Sequence, residues 1–220
     1  MVSASYLFFA LSAVVGSLAA PADSPRTLDT ADFILTNTTN LVPRQDYTQN
    51  YKTGGNVQFS TTTNGYSVTF SNAADFVVGR GWKTGSAKAI TFSGTHKATA
   101  GVVTFQVYGW TTSPLIEYYV IEDYTSANQF GSKTGTLESD GSTYDIYLTT
   151  RTNAPSISGT QTFHQYISVR HSKRSSGTVT TQNHFDAWAK HNMKLGTHNY
   201  QVLSTEGYNN AAGSTKETLS

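Results

Sequence analysis

The chain has 220 residues, of which 12% are aromatic and only 13% charged, and its formal net charge is +1. This length suits a single domain, and the near-neutral charge gives no reason to expect a nucleic-acid partner. Cysteine is absent, which excludes a disulfide framework. The abundance of aromatic residues and glycine favours an all-β fold with tight turns.

The first 44 residues differ from the rest and predict export. Residues 6–15 are mainly apolar but too few to span a bilayer, and Ser17 and Ala19 are small residues before a cleavage point, so residues 1–19 are predicted to be a signal peptide. Residues 20–44 contain no glycine and are interpreted as a pro-segment ending at Arg44, the alternative being a tail that is never removed. Residues 45–220 then form the domain of a secreted, extracellular protein with no membrane segment.

From residue 45 onward, short segments rich in β-branched and aromatic residues alternate with Gly, Asn, Asp, Ser or Pro. This pattern predicts strands at residues 57–60, 66–71, 89–93, 102–110, 115–122, 144–151, 161–169 and 200–208. Residues 153–160 predict a hairpin loop containing Pro155. Residues 183–193 instead place apolar side chains every three to four positions, which predicts a single helix with Asn183 as N-cap and Gly196 beyond its end.

Two of the predicted strands each contain one glutamate on an otherwise apolar or aromatic face. Successive side chains of a strand point to opposite faces, so Glu117 shares a face with Leu115, Tyr119 and Ile121. By the same alternation Glu206 lies with Tyr200, Val202, Ser204 and Tyr208. A carboxylate on such a face is costly unless it has a function, and paired carboxylates are the machinery of glycoside hydrolysis.

The histidines and the basic residues are weaker indicators of function. The six histidines show no metal-ligand spacing, so no metal and no cofactor is predicted, and His184 and His191 are expected on the surface of the helix. Arg170, Lys173 and Arg174 are the one basic cluster, and we interpret it as a solvated turn.

The domain resembles glycoside hydrolase family 11, the small β-jelly-roll endo-1,4-β-xylanases. The resemblance is collinear from about Tyr47 to the C-terminus. It rests on residues 66–72 (YSVTFSN), 78–82 (VGRGW), 107–110 (VYGW), 151–157 (RTNAPSI), 174–177 (RSSG) and 183–188 (NHFDAW). It implies a two-sheet jelly roll shaped like a partly closed hand, with one helix, a thumb loop at residues 153–160 and a fungal source.

The resemblance also implies the roles of individual residues. Glu117 matches the nucleophile and Glu206 the general acid/base of a retaining hydrolysis of internal β-1,4-xylosidic bonds. Asp75 matches a position beside the acid/base, where aspartate accompanies an acidic pH optimum through a shared proton. Seven further positions match residues that bind the xylan or xylo-oligosaccharide substrate: Tyr51, Tyr108, Tyr119, Arg151, Pro155, Gln165 and Tyr200.

Four positions depart from the family pattern. Tyr51 and Phe70 stand where tryptophan is usual, Ile167 where tryptophan is common, and Thr104 where tyrosine is frequent. These departures predict weaker stacking of sugar rings in the glycone half of the cleft.

Three other functions compete with a xylanase. A xylanase-like elicitor or inhibitor-binding decoy with little turnover would explain the altered platform residues. A lectin-like sandwich without catalysis would not need Glu206. A glucan-cleaving relative of the same clan is disfavoured by residues 155–157 and 117–119. For the xylanase we expect a monomer, with plant xylanase-inhibitor proteins as the possible protein partners.

Overall fold

A computed structural model describes residues 44–126 and 130–220. The predicted signal peptide and pro-segment lie outside these residues, apart from Arg44, and stay predictions. The described chain forms one helix, α1 (Thr181–Lys190), and ten strands: β1 (Tyr47–Lys52), β2 (Asn56–Thr62), β3 (Gly65–Trp82), β4 (Ala89–Thr112), β5 (Ile116–Tyr124), β6 (Ser132–Ser139), β7 (Ser142–Ser156), β8 (Gly159–Arg170), β9 (Ser176–Thr180) and β10 (Thr197–Leu219). Its helix is not of the length and apolarity needed to cross a membrane.

The strands follow the order β1-β3-β10-β4-β5-β8-β7-β6, with β2 on β3 and β9 on β4, and the path does not close on itself. Three long strands, β3, β4 and β10, each take part in both layers of the fold. The start of β3 pairs with β2 and its end with β1, while the start of β4 pairs with β9 and its end with β5. β10 lies between β3 and β4, and its register with both shifts between Tyr208 and Gly213. The all-β, two-layered jelly roll is confirmed.

Two hydrophobic clusters occupy opposite faces of the larger layer. One lies between the layers and contains side chains from both, such as Val68, Phe92, Phe105 and Tyr118. The other contains alternate residues of the same strands, including Tyr108, Tyr119 and Tyr200. Because side chains alternate along a strand, the first cluster holds the fold together and leaves the second to line the cleft described below.

The helix packs on the cluster between the layers, on the face away from the cleft. Trp188 is fully buried there, and its indole Nε1 donates a hydrogen bond to the Ser168 hydroxyl at 3.0 Å. The helix spans Thr181–Lys190 with Thr180 as N-cap, so both boundaries lie earlier than the sequence predicts. Asn183, the predicted cap, instead donates to the Ser139 hydroxyl at 2.9 Å.

Two expectations about charged groups were wrong. His184 is buried against Tyr144 rather than on the helix surface, and burial lowers its pKa to about 3. Arg170 and Arg174 do not form a solvated turn, because Arg174 pairs with the buried carboxylate of Glu122. Arg170 is itself buried, and it donates to the Tyr144 hydroxyl at 2.6 Å. These cations neutralise a buried anion that would otherwise be costly.

A second buried carboxyl, Glu217, has no such partner and makes stability depend on pH. It lies on β10 opposite Tyr66 and Gly94, and neither carboxyl oxygen has a hydrogen-bond partner in the protein. Burial raises its pKa to about 8 from the usual 4.5. The folded protein therefore keeps the proton where the unfolded chain has lost it, so stability falls as pH rises from about 4.5 to about 8.

We expect the substitution Glu217→Gln to remove this loss of stability at higher pH. Its melting temperature should exceed that of the wild type by roughly 5–10 °C at pH 8, and the two should converge near pH 4. Thermal unfolding across this pH range measures the effect. Glu138→Gln, at an exposed position, is the matched control. Parallel melting curves of wild type and Glu217→Gln would contradict the prediction.

Candidate active site

A cleft of about 350 Å³ opens on the second hydrophobic cluster. All ten side chains that the sequence singles out line it: Tyr51, Asp75, Tyr108, Glu117, Tyr119, Arg151, Pro155, Gln165, Tyr200 and Glu206. They come from seven strands, namely β1, β3, β4, β5, β7, β8 and β10, each through the face that alternation assigns to it. The cleft thus unites residues that are far apart in the sequence.

Two hydrogen bonds orient the carboxyl group of Glu117. The Tyr108 hydroxyl donates to its Oε1 at 2.7 Å, and Gln165 Nε2 donates to its Oε2 at 2.6 Å. Trp110 Nε1 donates in turn to the Tyr108 hydroxyl at 2.7 Å, which fixes that donor. Burial raises the pKa of Glu117, while these donors, Tyr119 and the Arg151 charge oppose the rise. Both carboxylate oxygens are therefore oriented and partly neutralised.

Glu206 lies in a contrasting environment that favours its protonated form. The hydrogen bond that Gln106 Nε2 donates to its Oε2 is long, at 3.4 Å. Burial raises its pKa to about 8, and the charges of Glu117 and Asp75 add to the rise against Arg151. Two carboxyls whose surroundings push their pKa values apart are equipped for different roles, one as a base or nucleophile and one as an acid.

Asp75 completes the charged group of the cleft. It is opposite Tyr208 in the β3–β10 ladder, two positions beyond Glu206 on the same face of β10. Burial raises its pKa, and the Arg151 charge lowers it. Arg151 is the one cation among the lining residues of the cleft, and it acts on all three carboxyls. The sharing of a proton between Asp75 and Glu206 stays a prediction.

Aromatic and thumb residues form the walls of the cleft. The hairpin of β7 and β8 places Pro155, Ser156 and Ile157 over it, and most of the predicted loop is paired strand, with Pro155 opposite Thr160. Tyr200 stacks on Tyr47, with ring centroids 4.6 Å apart. Flat rings and hydroxyl donors at the rim are the surfaces on which sugar rings bind.

Sequence reasoning missed several lining residues, among them Tyr47, Gln49, Trp110 and Phe163. Tyr47 and Gln49 could have been found, because they alternate with Tyr51 along β1. Strand β1 was not predicted because its residues are mostly polar and exposed, so the strand has no apolar face. Trp110 follows Tyr108 by the same alternation on β4.

The four departures from the family pattern do not lie together. Tyr51 lines the cleft and is 42% exposed, so it offers a free ring face. Phe70 lies in the cluster between the layers, 4.8 Å from Phe76 between ring centroids, which corrects the expectation that it affects sugar stacking. Thr104 and Ile167 line a side cavity of the cleft, beside Glu206 and without Tyr51, which corrects the expectation that they belong with Tyr51 to one glycone platform.

A jelly roll whose aromatic cleft holds two buried carboxyl groups in contrasting environments has the construction of a glycoside hydrolase. The family model "Glycosyl hydrolases family 11" matches residues 43–218. The chain belongs to this family, as its motifs predict.

Characterised relatives align along most of the chain. It is 49% identical to "Ethylene-inducing xylanase" of Penicillium digitatum, with 100% of both chains covered. It is 50% identical to "Endo-1,4-beta-xylanase 1" of Hypocrea jecorina over 80% of this chain and 76% of that protein. A solved structure from a comparison of two major endo-1,4-β-xylanases of Trichoderma reesei superposes with a TM-score of 0.78, at 50% identity, covering 80% of this chain and 99% of that one.

Proposed function

We propose that the protein is a secreted endo-1,4-β-xylanase that cleaves internal xylosidic bonds with retention of configuration. Glu117 attacks the anomeric carbon, and Glu206 protonates the departing oxygen and later activates water. One observation carries the proposal. Glu117 is held by two short donors, whereas burial and the Glu117 charge raise the pKa of Glu206 to about 8. The relatives named as xylanases support the substrate.

The cleft residues support binding of a flat pyranose ring without a hydroxymethyl group. Tyr51 offers an exposed ring face, and Arg151 and Gln165 offer donors. Pro155 on the thumb closes the opposite side. We propose that these side chains, together with Tyr108, Tyr119 and Tyr200, position the sugar whose bond is cleaved.

The test is hydrolysis of xylohexaose followed by proton NMR from the first seconds. A retaining enzyme releases the β-anomer first, which then mutarotates. Release of reducing sugar from xylan and from carboxymethyl cellulose, side by side, tests the substrate. First release of the α-anomer would overturn the double-displacement mechanism, and preference for carboxymethyl cellulose would favour the glucan-cleaving alternative.

We expect Asp75→Asn to raise the pH optimum by roughly one unit or more. If the active form needs the Asp75 proton as a donor to Glu206, activity fails once Asp75 ionises. An asparagine amide donates at every pH, so the alkaline limb would then follow Glu206 itself. Loss of the Asp75 charge lowers the pKa of Glu206 somewhat, but burial and the Glu117 charge, which are the larger causes, remain.

A pH–rate profile of both proteins on one xylan measures this shift. Asp186→Asn, on the outer helix, is the control for removing one carboxylate from the domain. An unchanged optimum would make Asp75 an ordinary loop residue. A downward shift would mean that Asp75 acts only through its charge, without sharing a proton.

The names of two relatives support a second proposed function. They are named "Ethylene-inducing xylanase", from Penicillium digitatum, and "Ethylene-inducing xylanase 2", from Botryotinia fuckeliana, the latter 46% identical over 98% of this chain. We propose that the protein, as a monomer, also elicits a plant response or binds plant xylanase inhibitors. Ethylene release from leaf tissue treated with Glu117→Gln would show whether elicitation needs turnover.

A further inference from the structure

A side cavity of about 70 Å³ adjoins the cleft beside Glu206. It shares Tyr119, Gln165 and Glu206 with the cleft, and its remaining walls are Thr104, Ile121, Phe130, Ile167 and Tyr208. This volume is several times the ~10–15 Å³ that one water molecule needs, so the space admits a group of a few heavy atoms.

The position of the side cavity relative to the two glutamates defines which part of a substrate reaches it. Glu206 lines it, and Glu117 does not. In a retaining reaction the nucleophile lies at the anomeric carbon, and the acid lies at the oxygen that departs. Thr104 is directly opposite Glu206 in the β10–β4 ladder, whereas Glu117 is opposite Trp110, farther along β4. The side cavity therefore lies on the leaving-group side.

The side chains that line the side cavity determine which chemical groups can bind in it. Ile121, Phe130 and Ile167 are buried and form an apolar part of the lining, whereas Thr104 and Tyr208 contribute hydroxyl groups and the shared residues Tyr119, Gln165 and Glu206 are polar. A sugar branch would place hydroxyl groups against the three apolar side chains, which offer them no partners, at a cost in free energy. A short acyl group fits instead, because its methyl group contacts the apolar walls and its carbonyl accepts one hydrogen bond.

We propose that the side cavity binds a short acyl ester, such as acetyl, on the xylose that departs with the leaving group. The proposal rests on the proposed xylanase function and adds a substituent specificity to it. Ile167 sets the size of the cavity from β8, where it lies beside Tyr119 in the parallel β5–β8 pair.

Partially acetylated xylan tests the proposal with the wild-type protein alone. After brief digestion at acidic pH, tandem mass spectrometry locates acetyl groups in the products. The sugar that occupied the leaving-group position becomes a new non-reducing end. We expect acetyl on these ends at several times its frequency in the intact polymer. Acetyl at or below the frequency in the polymer would overturn the proposal.

A variant in which a larger side chain fills the side cavity provides a second test. The measured quantity is kcat/KM on acetylated xylan divided by kcat/KM on the same xylan after alkaline deacetylation. We expect Ile167→Trp to lower this ratio by roughly tenfold. Ile167→Leu, with nearly equal side-chain volume, is the matched control and should keep the wild-type ratio. An unchanged ratio in a folded Ile167→Trp protein would contradict the proposal. Absence of wild-type activity on both substrates would instead refute the proposed function.

Discussion

Glu117→Gln is expected to lower kcat/KM on soluble xylan by roughly a thousandfold or more, equivalent to about 4 kcal/mol of transition-state stabilisation. An amide cannot form the glycosyl ester that the double displacement requires. The fold should persist, because glutamine has nearly the same shape and removes a buried charge whose burial raises the carboxyl pKa. Initial rates measure the effect, and thermal unfolding verifies the fold.

The nucleophile assignment has a chemical control. A Glu117→Gly protein supplied with azide should form the α-xylosyl azide, since the small anion attacks directly from the vacated side. Glu138→Gln, at an exposed position, should keep wild-type rates. Near-normal turnover by Glu117→Gln would show that another group attacks the sugar.

Glu206→Gln should also reduce xylan hydrolysis by roughly a thousandfold or more, for a different reason. A sugar leaving group needs a proton as its bond breaks, and glutamine has none to give. A 2,4-dinitrophenyl xylobioside needs no such proton. With this substrate the variant should release a rapid burst of dinitrophenolate, followed by slow turnover because no base activates water.

The pH dependence adds a check on Glu206. Its pKa, raised to about 8, sets the upper end of the pH range in which Glu206 keeps the catalytic proton, and the proton sharing proposed for Asp75 would place the wild-type limb below that value. The alkaline limb of the wild-type profile should vanish for the burst phase of Glu206→Gln. Equal losses on xylan and on the dinitrophenyl substrate would contradict the acid role.

The sequence predicted the parts of the fold that alternation or helical periodicity marks. Both glutamate strands and the helix around Trp188 carry such patterns. The strands β1, β6 and β9 were missed, because β1 and β6 consist mostly of exposed residues and β9 has only 5 residues. Residues 89–93 and 102–110 proved to be one strand, β4. The polar stretch between them is extended because β10 pairs with it, which no local pattern records.

The sequence predicted which residues line the cleft better than it predicted the packing around the cleft. Motifs specified Glu117, Glu206 and Asp75 by position, and alternation placed Tyr119 and Tyr200 beside the two glutamates. The partners of buried charges were not predictable, because Arg174 and Glu122 meet only through tertiary packing. His184 likewise gave no sign of burial in the sequence.

The place of β10 between β3 and β4 has a consequence for how the chain acquires its structure. β3 and β4 follow each other in sequence but do not pair, since the 23-residue strand β10 separates them. Until β10 inserts, both present long unpaired edges, which are templates for aggregation. β10 also carries Glu206. Completion of the sheet and placement of the acid group therefore depend on the same pairing of β10 with β3 and β4, which are distant in sequence. A form of the chain in which β10 is unpaired lacks one of the two carboxyls of the cleft.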